Sequence, residues 1–181
     1  MTKQSTQRVN KDVSPAQGDV QLILIRIGSS FYAIDIMKIV EIVKYIPVTR
    51  VPRAPEFLEG VIDLRGAIIP VIDMRKRFEI QPENMKEKQN EKIRIVIIKV
   101  VDKIVGLIVD EVKEVLKIPR GKVMPPPKIV QGIESEYLSS VVSDKGRIIL
   151  VLDLDRILTT TERVQFKNLI FKDKKQKPGG D

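Results

Sequence analysis

The sequence predicts a mostly β protein built of two small barrel lobes, on three observations. Apolar residues make up 43% of the chain while aromatics are only 4% and Trp is absent, so the core is chiefly Ile, Val and Leu, and its β-branched members suit a pleated sheet. These residues fall in short runs punctuated by Gly, Pro and charged pairs at turn spacing. The second half of the chain also repeats the plan of the first.

Residues 1–18 are polar and contain Pro15 and Gly18, so they read as a mobile leader. Val20 to Ile27 is a β-branched run, Gly28-Ser29-Ser30 is turn material and Phe31 to Asp35 resumes, together a hairpin. Ile36 to Tyr45 is read as a bent strand, ended by Pro47. After a loop marked by Pro52 and Pro55, Leu58 to Asp63, Arg65-Gly66 and Ala67 to Asp73 read as strand, tight turn, strand, with Asp73 capping a short helix at Met74 to Phe78. Gln81 to Lys92 is charged and lacks β-branched residues, which makes it a loop. Ile93 to Val101 and Ile104 to Val109 flank the turn Asp102-Lys103, and Val112 to Ile118 follows. Pro125-Pro126-Pro127 is a rigid connector, Gly132 to Val142 a strand with a turn-like middle, Arg147 to Leu152 another strand, and Asp153 to Leu158 a short helix. Thr160 and Thr161 are candidate caps for a terminal helix carrying Val164, Phe166, Leu169 and Ile170, with a basic tail to residue 181.

Val61 to Asp73 (VIDLRGAIIPVID) lies without a gap over Val141 to Asp153 (VVSDKGRIILVLD), and Ala33-Ile34-Asp35 through Glu41-Ile42-Val43-Lys44 lies over Gly106-Leu107-Ile108 through Glu114-Val115-Leu116-Lys117. Each half has about five short strands, enough for a sheet to close on itself and hide its edges. The expected organisation is therefore one domain over 19–160 made of two intertwined lobes, about 19–90 and 91–160. A flat two-sheet sandwich is the alternative.

Composition removes several functions. There is no His and no Cys, which excludes Ser-His-Asp and Cys-His catalysis, Cys/His zinc sites and phosphotransfer through a histidine within this chain. No glycine-rich phosphate loop is present, so no cofactor and no metal are expected. No signal-peptide pattern opens the chain and no apolar run is long enough to span a bilayer, which makes the cytoplasm the default location. The net charge of +8 sits mostly in the tails: residues 1–17 hold +2 and residues 163–181 hold +4, which leaves +2 between them. That is a poor phosphate-binding surface. A small-barrel nucleic-acid-binding protein using its basic tails remains the rival reading.

Asp63, Asp73 and Asp153 end strands at repeated positions, as caps rather than a catalytic pair. Arg65, at a hairpin tip before Gly66, reads from spacing alone as a solvated turn cation.

Phe31-Tyr32-Ala33-Ile34-Asp35-Ile36, Gly60-Val61-Ile62-Asp63-Leu64-Arg65-Gly66 and Pro70-Val71-Ile72-Asp73-Met74-Arg75 together resemble the CheW family of bacterial chemotaxis. Val105 to Asp110 and Ser135-Glu136-Tyr137-Leu138 look like its later motifs, and the resemblance spans roughly Asp19 to Leu158. Asp63 departs from the Asn common in the family's N-L-R-G turn. The resemblance implies two SH3-like five-stranded barrels forming a non-enzymatic adaptor that couples chemoreceptors to a CheA-type histidine kinase. It implies that Ile39, Gly60, Arg65, Gly106 and Val115 line a receptor-binding groove between the lobes. Ile36, Glu41 and Ile42 would face the kinase's own CheW-like regulatory domain.

Overall fold

The computed structural model describes residues 18–81, 91–127, 133–159 and 162. Among them the chain forms β1 (Asp19–Ile27), β2 (Ser30–Asp35), β3 (Ile39–Lys44), β4 (Leu58–Leu64), β5 (Ala67–Asp73), the one-turn helix α1 (Met74–Arg77), β6 (Arg94–Val100), β7 (Lys103–Val109), β8 (Glu111–Pro119), β9 (Val123–Met124), β10 (Leu138–Asp144) and β11 (Arg147–Leu152). The expected leader, most of the Gln81–Lys92 loop and the terminal helix beyond Glu162 lie outside the described residues.

The strands form two sheets, ordered β3-β6-β7-β5-β4 and β8-β1-β2-β11-β10-β9. Both curl shut by the same device. The chain leaving β3 returns to the free edge of β4, where Thr49 and Val61 exchange backbone hydrogen bonds of 2.9 and 2.8 Å. In the other lobe β8 passes through a 3-10 turn at Arg120–Lys122 into β9, which pairs with β10 at Val123↔Val142 and Met124↔Val141. Closure leaves few unpaired edge groups.

The division expected near residue 90 differs from the one observed. Lobe one runs from β3 through β7, while lobe two joins β1 and β2 to β8 through β11. Each half of the chain thus contributes its first hairpin to the other half's closing strand and second hairpin. β1 pairs with β8 and β2 lies parallel to β11, just as β6 pairs with β3 and β7 lies parallel to β5.

Strand periodicity explains the apolar runs. Along β1, Leu22 and Leu24 fill the interior of lobe two, while Ile23, Ile25 and Ile27 point the other way into a core shared by both lobes. Along β6, Ile95 and Ile97 fill lobe one, while Val96 and Ile98 enter the shared core. Successive side chains alternate faces, so a strand covered on both faces reads as continuously apolar. At about 1.5–3 kcal/mol for each fully buried Ile or Leu, a charge at Ile25 or Val96 would disrupt the shared core that joins the lobes.

The repeat persists in detail. Both second hairpins turn on a basic-Gly pair at positive φ, Arg65 (54°) with Gly66 (85°) and Lys145 (47°) with Gly146 (75°). This is the type I′ geometry that matches strand twist. In the first hairpin Arg65, not only Gly66, takes the positive φ. Both hairpins also slip register near their start, between Leu58 and Gly60 and between Leu138 and Ser140. Residues 36–45 are less regular than the bent strand expected, because Asp35 accepts a bond from Met37 N and caps a 3-10 turn at Ile36–Lys38 before β3.

Candidate functional site

Lobe one presents an exposed polar feature that sequence reasoning had divided between two faces. Arg65, at the β4–β5 tip, donates from both terminal nitrogens to the two carboxylate oxygens of Glu41 on β3, at 3.1 and 2.9 Å. Since β3 and β4 are opposite ends of the sheet order, this pair spans the seam of the barrel. The Arg65 side chain is 77% exposed and that of Glu41 25%, so a bidentate pair leaves one side of the guanidinium toward solvent. Lobe two has a counterpart: Glu114 on β8, the residue that overlays Glu41, accepts from Arg147 at 3.2 Å, and Arg147 also contacts Asp144 at 3.3 Å. The cation has moved from the turn to the next strand while the carboxylate kept its place.

Around these pairs lie exposed apolar side chains. Outward positions of β3 carry Val40 and Ile42, with Met37 before them and Ile68 on β5; lobe two shows Val115, Met124 and Ile148. Ile42 and Val115 therefore stand on equivalent outward positions of the two closing strands. Ile36 and Ile39 do not. Both are half-buried and pack against the shared core.

The two glycines sit beneath the surface. At Gly60 (φ 152°) a Cβ would lie 2.1 Å from Thr49 O, where the chain crosses to close lobe one. At Gly106 it would meet Ile95 Cγ2 at 2.9 Å and Val71 Cγ2 at 3.2 Å. Both residues permit close approach and present no side chain to a partner. The three Asp residues are caps: Gly66 N donates to Asp63 at 2.7 Å, Arg75 N to Asp73 at 2.9 Å and Asp155 N to Asp153 at 3.1 Å. Burial pushes the Asp73 carboxyl up against the lowering effect of the Arg75 and Lys76 N–H groups. Among the described residues no group of three or more His, Cys, Asp or Glu is placed to hold a metal ion.

Two polar clusters between the lobes escaped sequence reasoning. Buried Asp110, where β7 passes into β8, accepts from Arg75 Nε at 2.7 Å and from Gly28 N at 2.5 Å, tying the end of lobe one to the first hairpin of lobe two. The neighbouring Glu111 is desolvated, yet Lys113, Arg26 and Lys92 hold its carboxyl below the ordinary range. In the second cluster Arg77, buried at the end of α1, donates to both oxygens of Glu162 at 2.8 and 2.9 Å. Its guanidinium lies 4.1 Å from the ring centre of Phe57 and 5.1 Å from that of Tyr137, residues that overlay one another in the repeat. The only sequence signals were a basic run after Asp73 and one acidic residue after a Thr run.

A family model of the CheW-like domain matches residues 21–162, which takes in both lobes. The chain belongs to the CheW-like family. It is 34% identical over 149 residues to the chemotaxis protein CheW of Treponema pallidum, covering 82% of this chain and 88% of that protein. It is 30% identical over 149 residues to the CheW of Klebsiella aerogenes, with coverages of 82% and 87%. The crystal structure of the scaffolding protein TtCheW from Thermoanaerobacter tengcongensis aligns with a TM-score of 0.72 at 30% identity, over 80% of this chain and 95% of that one. The mostly β, two-lobed SH3-like architecture expected for a CheW-like chain is thus shown, and the flat sandwich is set aside. No helix among the described residues is long and apolar enough to cross a membrane.

Proposed function

We propose that this chain is a non-enzymatic adaptor of chemotaxis signal transduction, acting in the cytoplasm to couple the cytoplasmic tips of chemoreceptors to a CheA-type histidine kinase. The observation that carries this reading is the family match across both lobes, to relatives named as chemotaxis and scaffolding proteins. The absence of His and Cys agrees with a role in binding rather than chemistry. The rival nucleic-acid reading finds no support in these relatives.

An adaptor works by fixing two partners in one geometry through apolar anchors and a few oriented polar contacts. On the receptor side the exposed members are Arg65 and Val115; Ile39 supports the surface from beneath, and Gly60 and Gly106 act through backbone packing. On the kinase side Ile42 is the exposed anchor and Ile36 its support. Glu41, held by Arg65, joins the two sides, so a partner that recruits either charge alters the other. The test is capture of a receptor tail and of the kinase by Arg65→Glu and Ile42→Asp variants shown to be folded. Loss of receptor capture in the first and of kinase capture in the second is expected. Folded variants that retain both partners at wild-type affinity would overturn the assignment.

A further inference from the structure

A cleft of about 630 Å³ opens beside α1, a volume in the range of ligand-binding sites. Its apolar lining is Phe57, Ile80 and Tyr137. Phe57 precedes β4 of lobe one and Tyr137 precedes β10 of lobe two, so anything seated there touches both lobes. α1 follows the end of β5 remote from the Arg65 tip, and neither Arg65 nor Ile42 lines any part of the cleft.

The charges of the wall are unevenly committed. Each of its cations already faces a carboxylate: Arg75 pairs with Asp110, Lys76 with Glu59 and Arg77 with Glu162. Asp73 is engaged in capping α1. Glu56 and Glu79 are exposed, and among the described residues neither carboxylate has a hydrogen bond or an ion pair. Glu79 is fixed by the end of α1, where its N–H donates to Lys76 O at 3.1 Å. Burial pushes the Tyr137 hydroxyl up; Arg77 acts against that, while Glu162, Glu136 and Glu79 act with it.

An acidic rim over aromatic and aliphatic side chains suits a cation that carries an apolar neighbour. A simple amine would meet the rim alone. A peptide also brings apolar side chains and backbone carbonyls, and the wall holds a donor that lacks an acceptor: Arg77 is 8% exposed and its Nε has no hydrogen-bond partner among the described residues, an unusual state for a buried donor. An acidic peptide would face Glu56 and Glu79 with every cation of the wall already taken. We propose that the cleft docks a basic, amphipathic segment of a partner protein, with a Lys or Arg of that segment between Glu56 and Glu79 and its apolar neighbour against Phe57, Ile80 and Tyr137. This is a third docking surface, and the inference is independent of which partners meet Arg65 and Ile42.

The probe is a fluorescein-labelled peptide in which Lys and Arg alternate with Phe and Leu, titrated by anisotropy into the full chain, with the amide chemical shifts of Ile80 and Tyr137 reporting the place of binding. Saturable binding with shifts at both residues is expected. Glu56→Gln/Glu79→Gln should weaken it about three- to tenfold. Asp19→Asn/Asp102→Asn removes the same charge at two exposed positions outside the cleft and should leave the affinity unchanged. A peptide with Ser in place of its Phe and Leu, and one with Glu in place of its Lys and Arg, should each bind about tenfold or more weakly. The proposal is overturned by the absence of saturable binding, by equal losses in the two double variants, by an acidic peptide that binds as tightly as the basic one, or by shifts that leave Ile80 and Tyr137 unmoved.

Discussion

Gly60→Ala isolates the closure of lobe one. Residue 60 sits at φ 152°, and a Cβ there would lie 2.1 Å from Thr49 O, 2.7 Å from Thr49 C and 2.8 Å from Val48 Cγ1. The first two are backbone atoms, so no rotamer change relieves the contact; the crossing segment must move. Moving it breaks the two Thr49–Val61 hydrogen bonds, worth about 1 kcal/mol each, and the backbone conformation adds about 1–3 kcal/mol. The sum, about 3–5 kcal/mol, is a large part of the 5–15 kcal/mol typical of a domain. For a chain of this size it corresponds to a fall in Tm of roughly 10–15 °C. Gly66→Ala is the control: its φ of 85° is also positive, yet a Cβ there meets nothing within 4 Å, so its loss should be about 1 kcal/mol. Paired thermal and urea melts read both. A Gly60→Ala protein melting within about 2 °C of the Gly66→Ala protein would refute the account of closure.

Asp110→Ala removes the Arg75 ion pair and leaves the buried Gly28 N without the acceptor it has in the native protein, so it should destabilise by about 1–3 kcal/mol; urea midpoints measure it. Val101, expected from the sequence to end the strand before an Asp102-Lys103 turn, instead occupies the first position of a Val101-Asp102 turn between β6 and β7 at φ 55°, a place suited to Gly, so Val101→Gly should raise Tm by a few degrees as strain of about 1–3 kcal/mol is relieved. Because the Arg65–Glu41 pair is largely exposed, a double-mutant cycle on stability should find a coupling of at most about 1 kcal/mol, while the same variants reduce partner capture. Burial acts to raise the Glu162 pKa, but the Arg77 guanidinium and Thr159 N–H outweigh it and hold the carboxyl below its ordinary value of 4.5. A depressed folded pKa contributes stability above the unfolded value and loses it as pH falls through the folded one. The stability gap between the unsubstituted protein and Glu162→Gln should therefore stay constant from neutral pH to about pH 5 and shrink below 4.5.

Local structure was legible in the residues because its causes are local. Turn pairs such as Arg65-Gly66, β-branched runs such as those of β1 and β6, and the caps Asp73 and Asp153 each act within a few positions. Which lobe receives which hairpin was not legible. The duplication gives both halves similar edges, so β1 has two comparable partners in β3 and β8, and only three-dimensional packing of Ile23 and Ile25 against Val96 and Ile98 decides. The site was legible as residue types and less so as roles. Gly60 and Gly106 stood out as motif positions, but a missing side chain looks the same whether it makes room for a partner or for the protein's own backbone. The Glu41–Arg65 pair crosses 24 positions and Arg77–Glu162 crosses 85, separations over which spacing carries no information.

The pairing of strands also bears on how the chain is made. Lobe one is contiguous from β3 to β7, whereas lobe two is interrupted by the whole of it, so one barrel is inserted inside the other. During synthesis at about 5–20 residues per second, the first hairpin waits several seconds for β8 and longer for β11, with Leu22, Leu24 and Ala33 uncovered on one face. Lobe one meanwhile has all its strands and can close first, offering Val96 and Ile98 as a surface on which that hairpin can rest. The nested order thus makes the earliest strands the last to be completed, and it makes the nascent chain, rather than the finished adaptor, the state most exposed to misassembly.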